Sequence, residues 1–437
     1  MGSKTRLGIA LGFLLAGCGS TPSGTPPVKD AGIPDRSVAD VAMHDAPIPD
    51  ASEAAAGYPA PHPAMPQVVD LGGPVMTSPK FVVITFAGDT LAPQIDAFVD
   101  AVAASKTYWS GTTAEYKVGP IAEVLHVSLD ESPSGTLADS VVQTWITGKL
   151  SGPDAGTLEG GAPWPQPDGE TVYMIYYPAS VSVTLEGGTS CSSFYGYHND
   201  YLLTGSTYVT YSVVARCPPF PMTSAIDSIT AIASHEMVEA VTDPRVADDP
   251  AWYQPDNDHI GWAIPAGGEL GDMCAGFGNV FYTPSDVPFL VQRTWSNASA
   301  AASHDPCQPD GAMPYFNSAA VLTQGVTFDE GGGQNVMTKG ISIPVGGTGT
   351  VTLDLYSDAK SGPWTVQALD FASLFTGGPP DLALSFGGKS MVTGSNGDTV
   401  SLSIKVLSQG QGGVELFWIQ NTIGETQTVW LGLVGSE

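Results

Sequence analysis

Positive charge is scarce in this chain. Its 437 residues include 15 Lys and Arg against 44 Asp and Glu, which gives a formal net charge of −29 at pH 7. A surface of this sign repels the phosphate backbone of nucleic acid, so we expect no nucleic-acid partner. Cations and basic substrates are the charged partners that remain, although the same acidity would equally serve solubility outside the cell.

Long hydrophobic runs are also absent, and the longest candidate lies at the N-terminus. Lys4 and Arg6 precede an apolar stretch over 7–16, which is too short to span a bilayer core of about 30 Å but suits a signal peptide. The stretch ends in LAGC at 15–18, which looks like a bacterial lipobox in which Cys18 is acylated. We therefore expect a lipoprotein signal peptide over 1–18 and a lipid-anchored protein of the bacterial cell envelope, facing the periplasm or the exterior. A plain secretory signal is the alternative.

The remaining sequence divides into three parts by composition. Residues 19–74 are rich in Pro, Ala and Asp with few large apolar residues, which predicts a disordered linker. Residues 75–312 alternate strand and helix patterns, which predicts an α/β domain. Residues 313–437 carry alternating runs rich in Gly, Thr and Val, which predict an all-β, immunoglobulin-like sandwich serving as an accessory domain. We also expect a helix opened by the capping pair Thr136 and Asp139, and a disulfide-pinned aromatic loop over 187–220.

The most informative segment of the α/β part is ITAIASHEMVEAVTDP at 229–244. Ser224 and Asp227 before it have the spacing of a capping box, which predicts a helix. On a helix His235 and Glu239 share one face, so both reach one cation. An imidazole nitrogen with a carboxylate oxygen suits Zn²⁺, so the sequence predicts a metal site here.

Glu236 occupies the position at which HExxH metalloproteases hold their general base. Because Glu239 replaces the second histidine of that signature, Mn²⁺ or Ca²⁺ is an alternative to Zn²⁺. The competing interpretation is an ordinary amphipathic helix whose acidic residues face water.

A second acidic cluster, GGELGDMC at 267–274, follows this segment. A catalytic zinc normally takes three protein ligands and leaves one position for water, so the HExxE array needs a further donor. Glu269 and Asp272 are the best candidates, since at a spacing of three one could ligate the metal while the other orients a ligand. The alternative third ligands are His259, Asp243 and His198.

The five cysteines favour an oxidising compartment. With Cys18 acylated, four remain, an even number that allows three connectivities. Pairing of Cys191 with Cys217 and of Cys274 with Cys307 is favoured because each pair is close in sequence and flanks a candidate site element. Each bridge would stabilise by about 3 to 4 kcal/mol. A cysteine-ligated zinc is disfavoured because the chain has no CxxC pair.

The order of five segments resembles the phosphate-induced protein or EXORDIUM-like family, including its bacterial extracellular members. The resemblance covers about residues 75–312. The segments are TFAGD (85–89), SCSSFYGYHN (190–199), ARCPPF (215–220), ASHEMVEAVTDP (233–244) and GGELGDMC (267–274). The resemblance implies a secreted protein with a zincin-like helix and transfers to His235, Glu236, Glu239, Glu269 and Asp272. Plant relatives resemble wall-associated growth regulators without an established catalytic activity.

Two functions follow from these patterns. In the first, the domain is a zinc-dependent, metallopeptidase-like hydrolase in which Glu236 takes a proton from water. Its substrate would be a peptide, cell-wall material or a glycan. In the second, the same ligands hold a structural metal or none, and the domain is an envelope binding module that contacts glycan or protein.

Overall fold

The structure is a computed structural model that describes residues 57–151, 164–276, 279–309, 311, 313–329, 335–410 and 413–436. The expected signal peptide, Cys18 and the first part of the expected linker, residues 19–56, lie outside these ranges. In the part of the chain that is described, no helix is both long and apolar enough to cross a membrane.

The described residues form strands and helices throughout. The strands are β1 (Val68–Asp70), β2 (Lys80–Phe86), β3 (Glu123–Leu129), β4 (Gly135–Ala138), β5 (Thr171–Tyr177), β6 (Val181–Leu185), β7 (Gly188–Thr189), β8 (Gly196–Thr204), β9 (Thr207–Ala215), β10 (Trp252–Pro255), β11 (Phe281–Tyr282), β12 (Val291–Gln292), β13 (Phe316–Ala320), β14 (Gln324–Asp329), β15 (Asn335–Ser342), β16 (Thr348–Ser357), β17 (Trp364–Asp370), β18 (Leu382–Ser385), β19 (Met391–Gly394), β20 (Thr399–Val406), β21 (Val414–Ile423) and β22 (Thr426–Gly435). The helices are α1 (Ala92–Ala104), α2 (Tyr108–Thr113), α3 (Asp139–Ser151), α4 (Ala225–Thr242), α5 (Asp272–Ala275), α6 (Asn297–Ala301) and α7 (Phe371–Thr376).

The N-terminal half is built on a five-stranded sheet in the order β3-β2-β5-β9-β8. The first four strands are parallel, and β8 pairs antiparallel with β9 at one edge. Every residue of β5 is buried, as expected for a parallel strand that is covered on both faces. Side chains of α1 and α4 pack against one face of the sheet, and side chains of α3 pack against the other.

The C-terminal half contains two β-sheets that share a core. One sheet has the order β13-β16-β20-β18 and the other the order β14-β15-β22-β21-β17-β19. The rings of Phe316 and Trp364 meet between them with centroids 5.5 Å apart, and Asn421 Nδ2 donates to Asn317 Oδ1 at 2.7 Å. This arrangement confirms the expected β-sandwich at the level of two packed sheets.

The two halves are joined by a continuous hydrophobic core. Trp262 of the N-terminal half and Trp430 of the sandwich meet edge to face, with ring centroids 5.5 Å apart. Lys339 N and Thr338 Oγ1 of the sandwich both donate to the carbonyl oxygen of Asp258. The two halves are therefore packed against each other rather than connected by a free linker.

The predicted disordered linker extends too far, because residues 57–74 are part of the folded structure. Ala60, Met65 and Val68 are buried in the shared core. Strand β1 pairs antiparallel with β10, and the His62 ring stacks on Tyr356 of the sandwich at 3.5 Å. The composition of this segment is that of a linker, yet its few apolar side chains fit sites that the folded chain supplies.

Two local predictions are also wrong. The expected helix opened by Thr136 starts later, because 135–138 forms β4, which pairs in parallel with β6, and α3 begins at Asp139. The segment over 187–220 is not a loop but contains β7 and the hairpin of β8 and β9.

The cysteine pairing is as expected. Cys191 bonds to Cys217, and Cys274 bonds to Cys307. The first disulfide ties the start of the β8–β9 hairpin to the segment that follows it. The second holds α5 next to the chain after α6.

Candidate metal centre

Helix α4 is buried on every side. Its capping box is present as predicted: Ser224 Oγ accepts from Asp227 N, and the Asp227 side chain accepts from Ser224 N. Every residue from Ser228 to Thr242 is buried, so the interpretation as a helix with its acidic residues facing water is wrong. Burying three ionisable side chains in one helix is costly unless each one is paired or binds a cation.

His235 and Glu239 face each other as their spacing predicts. His235 Nε2 lies 2.9 Å from Glu239 Oε2. The other oxygen, Glu239 Oε1, accepts from the backbone nitrogens of Gly271 and Asp272, at 3.0 and 3.2 Å. The second acidic cluster, at 267–274, therefore contacts α4 through its backbone, and this contact fixes the Glu239 carboxylate in place.

Both candidate ligands of the acidic segment reach the centre. Asp272 Oδ1 lies 3.7 Å from His235 Nε2, and Glu269 Oε1 lies 3.4 Å from His198 Nε2. Asp272 is the first residue of α5, and Glu269 lies in the turn before it. Asp272 therefore lies on the His235 side of the centre and Glu269 on the His198 side, so the two do not compete for one ligand position.

His198 is the histidine that completes the cluster. It projects from β8, and its Nδ1 lies 3.7 Å from Glu239 Oε2 and 3.8 Å from Glu236 Oε2. Two sets of three side chains could each bind a metal ion, because within each set the ligand atoms lie within 4.8 Å of one another. One set is His235, Glu239 and Asp272, and the other is His198, Glu236 and Glu239. Glu239 belongs to both sets.

The centre is a buried, acid-rich cavity. Its six residues, His198, His235, Glu236, Glu239, Glu269 and Asp272, each expose no more than 9% of their surface. They line a cavity of about 100 Å³ whose outer rim includes Leu185, Glu186 and Ala247. A cavity of this size has room for more than one ion or water.

The carboxylates strongly perturb the proton affinity of the cluster. Burial alone would lower the pKa of His235, but Glu239, Glu236 and Asp272 outweigh it and raise that pKa to about 10. Burial and the neighbouring carboxylates raise the pKa values of Glu269 and Asp272 well above their usual range. Without a cation, this set of groups therefore retains protons that ordinary carboxylic acids would lose.

Several buried atoms of the centre have no hydrogen-bond partner among the described residues. They are Glu236 Oε1, Glu236 Oε2, His198 Nε2 and Glu269 Oε1. Unpaired buried polar atoms are rare and costly in folded proteins, unless an ion or water occupies the space between them. Nitrogen and carboxylate oxygen donors of this kind fit a divalent transition-metal ion such as Zn²⁺.

Two of the alternative third ligands do not join the centre. His259 Nδ1 pairs with Asp256 at 2.8 Å, and its ring approaches Trp430 at the contact between the halves. Asp243 Oδ1 accepts from Ala251 N at 2.8 Å. Of the three alternatives, only His198 provides a ligand atom in either set.

The sequence patterns missed Gln292 and two glycines. Gln292 Nε2 lies 2.8 Å from His235 Nδ1 and reaches it from β12. A Cβ on Gly271 would lie 2.3 Å from His235 Nδ1, and one on Gly196 would lie 2.7 Å from Glu236 Oε1. The GELG spacing around Gly271 was a visible signal, whereas nothing in the local sequence marks Gln292.

Comparisons with known proteins give no relative that shows function. No protein-family model and no curated protein matches the chain. Solved structures with partial similarity include a chimeric titin Z1Z2 carrying an exogenous decorin peptide, at 14% identity over 28% of this chain and 97% of that one, with a TM-score of 0.15.

The CupB2 chaperone of Pseudomonas aeruginosa matches at 11% identity over 26% of this chain and 55% of that one, with a TM-score of 0.18. An extracellular fragment of EsaA from Streptococcus gallolyticus matches at 13% identity over 21% of this chain and 24% of that one, with a TM-score of 0.14. Similarity at this level assigns this chain no function.

Proposed function

We propose that the chain is a metal-dependent hydrolase of the metallopeptidase type, with Zn²⁺ as the first-choice cation. The observation that carries this proposal is the pair of unpartnered Glu236 oxygens, fully buried beside a histidine–carboxylate ligand set. A buried carboxylate without a hydrogen bond is costly in a structural protein, whereas a hydrolase needs a proton acceptor at that place.

His235, Glu239 and Asp272 are the residues that would hold the cation. They offer one nitrogen and two carboxylate oxygens, the three protein ligands that a catalytic zinc normally takes. The exchange of one histidine for Glu239 also admits Mn²⁺ or Ca²⁺.

Glu236 is the residue that would take the proton of the attacking water. It lies next to the ligand pair on α4, and its carboxylate is directed into the cavity, with Oε2 3.8 Å from His198 Nδ1. A divalent cation held by these residues would supply Lewis acidity, which would polarise the scissile carbonyl and lower the pKa of water. Because Glu236 is buried, its pKa is raised above that of an ordinary glutamate, as suits a general base working near neutral pH.

Amide bonds in peptides or cell-wall material are the proposed substrate class, and glycan is the remaining option. We also propose a fold type for each half of the chain. The half over 75–312 would have a zincin-like arrangement, and the half over 313–437 an immunoglobulin-like one. Support for the first is the ligand-bearing helix α4 packed against the β8–β9 edge of the sheet. The resemblance to the EXORDIUM-like family points the same way.

Substitution of Glu236 by Gln tests the mechanism. The variant keeps the size of the side chain but cannot accept the proton, so hydrolysis of a peptide library should fall by about 100-fold or more. Elemental mass spectrometry should still find a cation bound by His235, Glu239 and Asp272. Unchanged hydrolysis by the Gln variant would contradict the mechanism.

A non-catalytic envelope module with a structural metal is the second candidate. The small volume of the cavity and the near-complete burial of its ligands favour it, because a substrate must reach the cation for catalysis. A parent protein that binds metal tightly, hydrolyses no member of the library and retains a glycan or protein partner in the His235→Ala variant would establish this function.

We further propose that the protein acts in the cell envelope, lipid-anchored through Cys18. The two disulfides support this location, because such bonds persist in oxidising compartments. Replacement of Cys18 by Ala should release the protein from the membrane fraction. A Cys18→Ala protein that still sediments with membranes would overturn the lipid anchor.

A further inference from the structure

The metal centre contains two sets of ligand atoms rather than one. One set combines His235 and Asp272 with Glu239, and the other combines His198 and Glu236 with the same Glu239. Glu239 Oε2 lies 2.9 Å from His235 Nε2 and 3.7 Å from His198 Nδ1, so it stands between the two histidines.

The charges of the centre are not balanced by a single divalent cation. The cluster holds four carboxylates, whereas its two imidazoles are neutral when they act as ligands. The described residues form five ion pairs between a Lys or Arg and an Asp or Glu, and none of them involves these carboxylates. With all four carboxylates ionised, one divalent cation would leave two buried negative charges, and a second would neutralise them. Uncompensated buried charge is strongly destabilising.

Most of the buried atoms without a hydrogen bond lie on the side of the centre that a cation held by His235, Glu239 and Asp272 would leave vacant. Around His235, Nδ1 lies beside Gln292 Nε2, and Glu239 Oε1 accepts two backbone nitrogens, whereas Gln292 Oε1 has no hydrogen bond within the described chain. Around His198, both Glu236 oxygens have no hydrogen bond within the described chain, and His198 Nε2 and Glu269 Oε1, which also have none, face each other at 3.4 Å. His198 and Glu236 are both at least nine-tenths buried, which identifies this side as a second place for a ligand.

We propose that the centre binds two divalent cations that share Glu239, the first held by His235 and Asp272 and the second by His198 and Glu236. This proposal rests on the metal site of the proposed function and extends it. Glu269, 3.4 Å from His198, supports the second position. Glu236 would ligate through Oε2, the oxygen that faces His198, and Oε1 would remain the proton acceptor.

The number of cations per chain tests the proposal. The full chain is stripped with a chelator, equilibrated with Zn²⁺ at a buffered free concentration, and counted by elemental mass spectrometry and by native mass spectrometry. The parent should bind two ions, and His198→Gln should bind one. Glu236→Gln should also bind one, because its amide is a poor ligand. Thermal unfolding and thiol titration confirm that each variant is folded and that both disulfides are closed.

His126→Gln is the matched control. His126 is a half-exposed histidine with two carboxylates 2.9 Å away, Asp96 and Asp100, yet it belongs to neither ligand set. Its replacement should leave the count at two. A count that falls in this variant as well would overturn the assignment of the second ion to His198.

A spectroscopic measurement covers the event that a variant fails to fold. Two Mn²⁺ ions that share a carboxylate couple magnetically, so the parent loaded with two equivalents should give an exchange-coupled electron paramagnetic resonance signal. The signal of isolated Mn²⁺ at every loading would overturn the shared site.

The outcomes separate the two proposals. One ion in the parent and one in His198→Gln, together with hydrolysis lost in Glu236→Gln, would reject the second cation and keep the hydrolase. No bound ion in the parent would reject both. Two ions in a parent that hydrolyses nothing would keep the two-cation centre and reject the hydrolase.

Discussion

Gln292 holds His235 through a single nitrogen: Gln292 Nε2 lies 2.8 Å from His235 Nδ1 and 2.8 Å from the carbonyl oxygen of Gly271. Its backbone nitrogen also donates to Ser234 Oγ on α4. Strand β12 is thereby fastened to the helix directly beside the ligand. The imidazole orientation consequently depends on a residue that does not touch the cavity.

Loss of this contact should weaken metal binding. Groups that orient a metal-ligating histidine typically contribute about 10- to 100-fold in affinity. In a histidine that binds metal through Nε2, Nδ1 carries the proton, so in that state the Gln292 amide must turn its oxygen towards Nδ1 to accept it. With this acceptor removed, we expect Gln292→Leu to weaken Zn²⁺ binding by that factor, measured by competition with a chromophoric chelator. Gln367→Leu, on β17 of the sandwich, is the control and should leave the affinity unchanged. Equal affinity of parent and Gln292→Leu would show that His235 is held by its other neighbours.

A methyl group at Gly271 should disrupt the ligand pair. A Cβ there would lie 2.3 Å from His235 Nδ1 and 2.8 Å from Glu239 Oε1, distances at which one of the groups must move. We expect Gly271→Ala to lose most bound metal and about 1 to 3 kcal/mol of unfolding free energy, as is typical of overpacking. Urea unfolding and metal counting measure the two effects.

Gly148→Ala is the control for that substitution. Gly148 lies on α3, and no atom approaches its Cβ position within 4 Å. Because alanine favours helix more than glycine does, this variant should be neutral or slightly more stable. Metal retained in Gly271→Ala at the level of Gly148→Ala would contradict the proposed crowding.

Opening the disulfide of Cys274 and Cys307 should impair both stability and metal binding. The bond closes a separation of 33 residues, and Cys274 lies on α5 two residues after Asp272. Replacing both cysteines by Ser should cost about 3 to 4 kcal/mol on the chain-entropy model and weaken Zn²⁺ binding. Chemical unfolding monitored by tryptophan fluorescence provides the measurement. The Cys191 and Cys217 double variant should show a similar stability loss, since its separation of 26 residues is comparable.

Asp286 should make a pH-dependent contribution to the free energy of unfolding, through its contacts at the junction of α1 and α2. Its Oδ2 accepts from Ser105 Oγ, Lys106 N and Thr107 N. Burial acts to raise the pKa of Asp286, but the hydrogen bonds from Thr107, Lys106 and Ser105 outweigh burial and hold the pKa well below its usual range.

A carboxylate whose folded pKa is lowered stabilises above its unfolded pKa of about 4, and the contribution fades as the pH falls below that value. Asp286→Asn should therefore lower the free energy of unfolding by about 1 kcal/mol at pH 7. Partial exposure to solvent keeps this loss small. The difference from the parent should shrink at pH 3. Thermal unfolding at pH 7, 5 and 3 measures it, with Asp249→Asn as an exposed control. A difference that does not change with pH would contradict the charge-based account.

Local sequence patterns predicted what local interactions determine. The capping box of Ser224 and Asp227, the HExxE spacing and the strand over 81–86 all depend on neighbours within a few residues, and all appear in the structure. The two disulfides follow the same logic, because each joins cysteines close in sequence.

Long-range placement could not be predicted in the same way. His198 reaches Glu239 only because β8 pairs with β9 at the sheet edge against which α4 packs. Gln292 meets His235 across 57 residues. Composition also misjudged residues 57–74, because the average polarity of a segment does not show whether a few apolar side chains find sites in a distant surface.

The continuous core has a consequence for what counts as the smallest working unit of this protein. A cut near 312 would expose the Trp262 and Trp430 surfaces to water, and a cut near 75 would remove β1 together with the ring that stacks on Tyr356. Cooperative unfolding of both halves in one transition is therefore expected. Exchange of the sandwich for another module would therefore leave the apolar contact surface of the N-terminal half exposed to water.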